Sequence, residues 1–143
     1  MPELRAASVE RAVERVLENM CFTTILGPAH AGEAQSTLEH GARVAFRGKS
    51  SGAVLVGLSH AGAHVLASGF LGEDNVDETQ TGEFTAELAN MICGAIVSQF
   101  APGGQYALAS PCGIGVEEIA TAKGLRVDLM LEEGFLSVIA QIS

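Results

Sequence analysis

The chain has 143 residues, 48% of them hydrophobic and 17% charged, a size and balance that predict one domain spanning 1–143 with a single respectable core and little disorder. A formal charge of −9, with eight Lys and Arg spread along the chain, argues against a nucleic-acid partner, whose phosphates demand clustered cations. No apolar stretch approaches the ~20 residues of a membrane span, and MPELRAASVERAVERVL lacks the basic start and apolar core of a secretory signal, so a soluble cytoplasmic protein without a membrane partner is expected.

Residues 8–26 read as a helix, with Ser8 as its N-cap and Val9, Val13, Val16, Leu17 and Met20 recurring at helical spacing until Gly27 and Pro28. HAGEAQ, residues 30–35, reads as a polar loop. Two strands, 38–47 and 53–59, flank RGKSSG, whose small residues suit a tight reversal, and the three together predict a hairpin. Residues 60–72 predict a short helix that packs through Val65, Leu66, Phe70 and Leu71 and ends at Gly72. The acidic run from Glu73 to Glu78 reads as a solvated connector.

A long helix follows over 82–100, stopped by APGG at 101–104, where the two glycines accept left-handed caps. Beyond it, 106–109, 113–120, 125–131 and 135–142 read as strands separated by turn signals, the last two as the clearest hairpin in the sequence. LENM at 17–20 can be laid over LANM at 88–91. Each lies in a long helix leading towards a hairpin, which points to two related halves sharing one sheet. Met20 and Met91, matched in this way, are read as core fillers.

The long helix carries the main chemical signal. At 100° per residue Glu83, Glu87, Asn90 and Gly94 fall within an arc of roughly 60°, with Phe84, Leu88 and Ile92 near the opposite side. Glu87 and Asn90, three apart, project side by side. A carboxamide offers both a donor and an acceptor for holding a water, and a carboxylate can capture an ammonium group. The pair has no nucleophile of its own, but it can align a water against a phosphoryl group presented by another molecule, a reaction in which alignment and electrostatics are the protein's main contribution. Gly94 leaves space one turn beyond Asn90. The plainer alternative is an ordinary solvated stripe, with Gly94 admitting a packed neighbour.

Other candidates are weaker. His60 and His64 have ligand spacing on a helix but no HExxH-type companion, and read as a solvated helix start; His30 and His40 lie without partners in the sequence pattern. No metal site is therefore expected. Gly113 and Gly115 lack the longer phosphate-loop pattern, and Cys112 has no nearby histidine base, so neither a phosphate loop nor covalent catalysis is expected. Cys21, Cys93 and Cys112 form no CxxC pair and read as reduced, mostly buried thiols.

TAELANMICGAIVSQF resembles the signature helix of the CheC/CheX/FliY chemotaxis phosphatases, a Glu-x-x-Asn followed by an apolar residue and a nearby Gly, with a Pro-containing segment downstream where Ser110-Pro111 stands. The resemblance extends through SGAVLVGLS, the FLG helix end, the acidic connector and LRVDLMLEEGFLSVIAQI, across nearly the whole chain. One intact motif, in the second half, is more like CheX than CheC. The resemblance implies an α/β (α+β) CheC-like fold, with two pseudo-symmetric halves sharing a mixed or antiparallel sheet and long helices on one face. It also implies a phosphatase for the aspartyl-phosphate of a CheY-like receiver domain, in which Asn90 orients the attacking water and Glu87 engages the receiver's lysine. Glu83 and Gly94 would belong to the partner-binding surface, Glu83 standing where the family's longer motif often has Asp or Ser. The chain would carry no cofactor of its own, since the Mg²⁺ is the receiver's, and it would pair as a homodimer. The alternative on the same fold is a non-catalytic module that binds a receiver or another signalling protein.

Overall fold

The computed structural model describes residues 4–100 and 105–142 and is built on a seven-stranded antiparallel sheet. The strands are β1 (Ile25–Pro28), β2 (Leu38–Arg47), β3 (Gly52–Ser59), β4 (Ala107–Leu108), β5 (Cys112–Gly113), β6 (Leu125–Leu131) and β7 (Phe135–Ile142). Their order is β1-β6-β7-β3-β2-β4, with β5 also paired to β2. The helices are α1 (Ala6–Val16), α2 (Ala31–Thr37), α3 (His60–Leu71), α4 (Glu78–Phe100) and α5 (Val116–Thr121).

Both predicted hairpins form, and period-two alternation sets their faces. Val44, Phe46, Val54, Val56 and Leu58, with Val127, Leu129, Leu131, Leu136 and Val138, join the core under α1, α3 and α4. Leu38, Ala53, Leu55 and Ile139 point the other way, into a smaller cluster around Ile119 of α5. The strand order reads the same from either end when β1 is matched with β4 and β5, β2 with β6, and β3 with β7. The chain is therefore two pseudo-symmetric halves joined by the β3–β7 pairing, in which Leu55 faces Ile139. Among the described residues α3 has no counterpart in the second half.

Several local expectations are corrected. The first helix begins two residues before Ser8 with Arg5 at its N-cap, and continues as a π-helical turn, Leu17–Cys21, that ends at Phe22 in a left-handed conformation with φ 55°. Ile25–Pro28 is an edge strand, where the missing proline N–H costs no ladder bond. The supposed polar loop at 30–35 lies largely in α2, which buries Ala34. Most of the supposed strand 113–120 is α5. Its Ile119 is sealed against Gly41 and Gly57, paired residues of β2 and β3, and a Cβ at either glycine would stand within 3 Å of the Ile119 side chain. The third predicted strand, 106–109, is reduced to Ala107–Leu108. α3 packs through Leu66, Val65 and Phe70 as expected, with Gly62, Ala63 and Ala67 also buried, but Leu71 is exposed, and Met20 is a surface residue and no core filler. The APGG stop lies outside the described residues.

Ser59 ties the two hairpins to α3. Its buried hydroxyl accepts from the Gly62 N–H at 3.1 Å, capping α3, and from the Phe135 N–H at 2.9 Å at the start of β7. Ser59→Ala is expected to cost about 1–2 kcal/mol in denaturant unfolding, because it leaves both donors without that acceptor.

Cys21 and Cys93 are buried and Cys112 is exposed, so the expected mostly buried, unpaired thiols hold for two of the three. Burial pushes the Cys21 thiol up to about 12 and the Cys93 thiol to about 11, from an ordinary value of 9.0. A thiol raised in the folded state contributes its full share of stability below the unfolded value. That share is lost as pH climbs through the folded one, so both contributions are intact at pH 8 and fade above about pH 9. A thiol reagent at pH 8 is expected to modify Cys112 rapidly and the other two at the rate of unfolding; rapid labelling of all three would contradict the packing.

Candidate active site

α4 is the element that carries the site, and its start is fixed by a reciprocal cap. The Gln80 N–H donates to Asp77 Oδ1 at 2.8 Å, and the Asp77 N–H donates to Gln80 Oε1 at 2.9 Å, so two otherwise orphaned amides are satisfied at the first turn. This capping is the detail that reading 73–78 as a solvated connector missed, although Asp-x-x-Gln is its sequence signal. The rotation of the helix is then set by Phe84, Leu88, Ala89, Ile92, Cys93 and Ile96, all buried in the main core.

With those residues inside, the opposite stripe faces outward. Glu83 and Glu87 are exposed, and Asn90 and Gly94 are half-buried on the same side. Among the described residues neither Glu87 nor Asn90 has a hydrogen-bond or ion-pair partner, so both head groups are available to another molecule. A Cβ built on Gly94 meets nothing within 4 Å among the described residues, so the glycine does not serve close packing against them. The space that it leaves is at the surface, beside the amide of Asn90.

Glu83 and Glu87 also form one wall of an open groove of about 400 Å³, completed by Phe70, Leu71, Gln80 and Phe84. The Phe70 and Phe84 rings, 5.5 Å apart, join α3 to α4 along its floor. The groove has an acidic rim and an apolar floor, a surface suited to a cationic side chain next to an apolar contact. Sequence reasoning missed Phe70 and Leu71 as walls because it placed them in the core; their position just before the Gly72 cap was the available hint. Ser110 and Pro111 lie between β4 and β5 on the β2 edge of the sheet, and both of those short strands contact α4.

The family model of the chemotaxis phosphatase CheX matches residues 40–140, which include the whole of α4. The chain belongs to the CheX family. Solved structures agree on the fold. The chemotaxis protein CheX of Vibrio vulnificus superposes with a TM-score of 0.74 at 12% identity, over 99% of this chain and 100% of that one. CheX in the CheX–CheY–BeF₃–Mg²⁺ complex of Borrelia burgdorferi gives 0.70 at 21% identity, over 95% and 96%. The FliY of Thermotoga maritima gives 0.54 at 12%, over 94% and 86%. No curated protein matches the sequence. No helix among the described residues is long and apolar enough to cross a membrane.

Because no neighbour presses on Gly94 or on Gly82, replacing either with Ala is expected to stabilise this CheX-family chain by about 0.5–1 kcal/mol in thermal or denaturant unfolding, the ordinary gain of Gly→Ala inside a helix. A destabilised G94A protein would mean that the residue is packed after all.

Proposed function

We propose that this CheX-family chain is a phosphatase that hydrolyses the aspartyl-phosphate of a CheY-like receiver domain in cytoplasmic chemotaxis or two-component signalling. The observation that carries the reading is the outward Glu87–Asn90 pair on α4, with open space at Gly94 and an acidic groove beside it. The Borrelia CheX–CheY complex supports a receiver as the partner.

In this reading α4 lays its stripe against the phosphorylated loop of the receiver. The Asn90 carboxamide reaches the phosphoryl group; its oxygen accepts a hydrogen bond from a water and turns that water's lone pair towards phosphorus. The water–phosphorus bond forms as the bond from phosphorus to the receiver's aspartate oxygen breaks. Inorganic phosphate departs, and the aspartate regains its carboxylate. Glu87 takes the ammonium of the receiver's active-site lysine, which locks the register in which Asn90 meets the phosphoryl group. The Mg²⁺ stays with the receiver. Glu83 extends the acidic rim, and Gly94 gives the incoming loop its clearance. A homodimer completes the reading, supported by exposed apolar side chains, Leu26 and Met130, on the neighbouring strands β1 and β6 at the free edge of the sheet.

Phosphate release from a phosphorylated receiver tests the reading. Asn90→Ala is expected to lower the rate at saturating protein by about 10²-fold or more while leaving receiver binding in place, the cost typical of losing one positioning group. Glu87→Ala should weaken binding. Gly94→Ala should slow turnover although it stabilises the helix, whereas Gly82→Ala, off the stripe, should leave turnover unchanged. Equal decay with wild type and Asn90→Ala would remove the catalytic claim, and receiver binding with no change in phosphate lifetime would establish the non-catalytic module instead. Sedimentation of a monomer at tens of micromolar would remove the dimer.

A further inference from the structure

A second group of side chains lies at the other end of the first turns of α4. His60 and His64 share one face at the start of α3, their rings 4.4 Å apart. The fold brings Glu78, the first residue of α4, and Glu39 and His40 of β2 to them. Glu78 Oε1 lies 3.6 Å from His60 Nδ1 and 4.0 Å from His64 Nε2, and its other oxygen is 3.7 Å from His40 Nε2. Glu39 Oε2 is 3.1 Å from His60 Nδ1. The donors of Glu39, His40 and His60 lie within 4.8 Å of one another, as do those of His60, His64 and Glu78, so the two triads share His60. His40, which lacks partners in the sequence pattern, lies beside Glu39, His60 and Glu78.

We propose that this cluster is a binding site for a divalent transition-metal ion of the zinc class, with His60, His64 and Glu78 as the core ligands and His40 and Glu39 closing the β2 side. Four observations converge on it. Donor atoms around a tetrahedral ion with bonds of about 2.0–2.1 Å sit about 3.4 Å apart, and the distances here, from 3.1 to 4.0 Å, bracket that edge. The donors are imidazole and carboxylate without thiolate, a set that suits zinc, cobalt or nickel and not calcium. His40, whose side chain is 14% exposed, buries Nε2 without a hydrogen-bond partner among the described residues, and such an orphan calls for a ligand. Finally, Glu39 and His60 border an open hollow of about 460 Å³ between α2, β2, α3 and β7, which gives an ion and its waters a way in.

The supporting structure holds the ligands in place independently of metal. Ser59 caps α3 next to His60, and the Asp77–Gln80 box fixes the turn that carries Glu78. The site lies about 14 Å along α4 from Glu87, so it is separate from the proposed reaction. A bound ion would cross-link β2, α3 and the start of the motif helix, and because it binds the folded arrangement it would raise thermal stability.

The test uses tag-free full-length protein carrying Cys112→Ser, which removes the exposed thiol as a competing ligand. Co²⁺ titration followed by visible absorption, and Zn²⁺ competition against a chromophoric chelator, are expected to report one tight equivalent and a rise in Tm. His60→Ala/His64→Ala should weaken both ions by at least ~10-fold and abolish the Tm rise. Should the double variant prove unfolded by circular dichroism, Glu78→Gln, which keeps the volume of the side chain, is expected to show the same weakening. Co²⁺ affinity unchanged by Glu78→Gln, or no absorption band and no Tm rise in the parent protein at millimolar ion, would overturn the site and leave a cluster of His–Glu ion pairs.

Discussion

The rotation of α4 about its own axis is the constraint on which the rest of the molecule depends. A 23-residue helix has one orientation in which Phe84, Leu88, Ile92 and Ile96 reach the sheet together, and these side chains are buried almost completely. Turning the helix by a single residue step of 100° would drive a charged or amide group into the core, at a cost of several kcal/mol for an unpaired buried charge. Hydrophobic packing on one side therefore determines the chemistry on the other. Glu83, Glu87, Asn90 and Gly94 are displayed because the opposite residues cannot be, and their mutual geometry is that of a rigid helix rather than of a loop. Helices give displayed groups better definition than loops do, and the proposed hydrolysis, which relies on aligning a water, would need that definition.

This dependence explains how much the sequence disclosed. A long helix and two hairpins carry their own periodicities, 3.6 and 2.0, so α4, β2–β3 and β6–β7 could be placed from local pattern, and the outward stripe came with the helix. Short elements are different. α2 and α5 have seven and six residues, too few for a stable helix on their own, and they exist because the outer face of the sheet needs covering. The signal for α5 was in its partners: glycines at 41 and 57, inside strands that otherwise favour larger residues, leave the slot that Ile119 fills. The β1 strand likewise takes its identity from β6, since nothing in Ile25–Pro28 alone outweighs a helix running on from α1. The histidine cluster was illegible for the same reason. Its donors come from β2, α3 and α4, and only the closed sheet with its caps brings Glu78 and His40 to the pair at 60 and 64.

The two halves of the fold also show why one outward acid–amide pair is present where pseudo-symmetry offers places for two. Laid over Glu87 and Asn90, the first half has Val16 and Asn19, and Val16 is buried in the core. The amide survives there without a carboxylate beside it. The local backbone differs too: Asn19 lies in the π-helical turn, which shifts its angular position relative to Val16 from that of an α-helical i, i+3 pair. α3, the helix without a symmetry mate, packs against the end of this turn so closely that Gly69 leaves no room for a Cβ beside the Cys21 carbonyl. In the two residues that follow Gly69, the same helix supplies Phe70 and Leu71 to the groove at Glu87. One additional helix thus occupies the end of the first-half helix and walls the displayed stripe of the second, so the asymmetry of the two halves follows from where α3 packs as much as from which residues the two long helices carry.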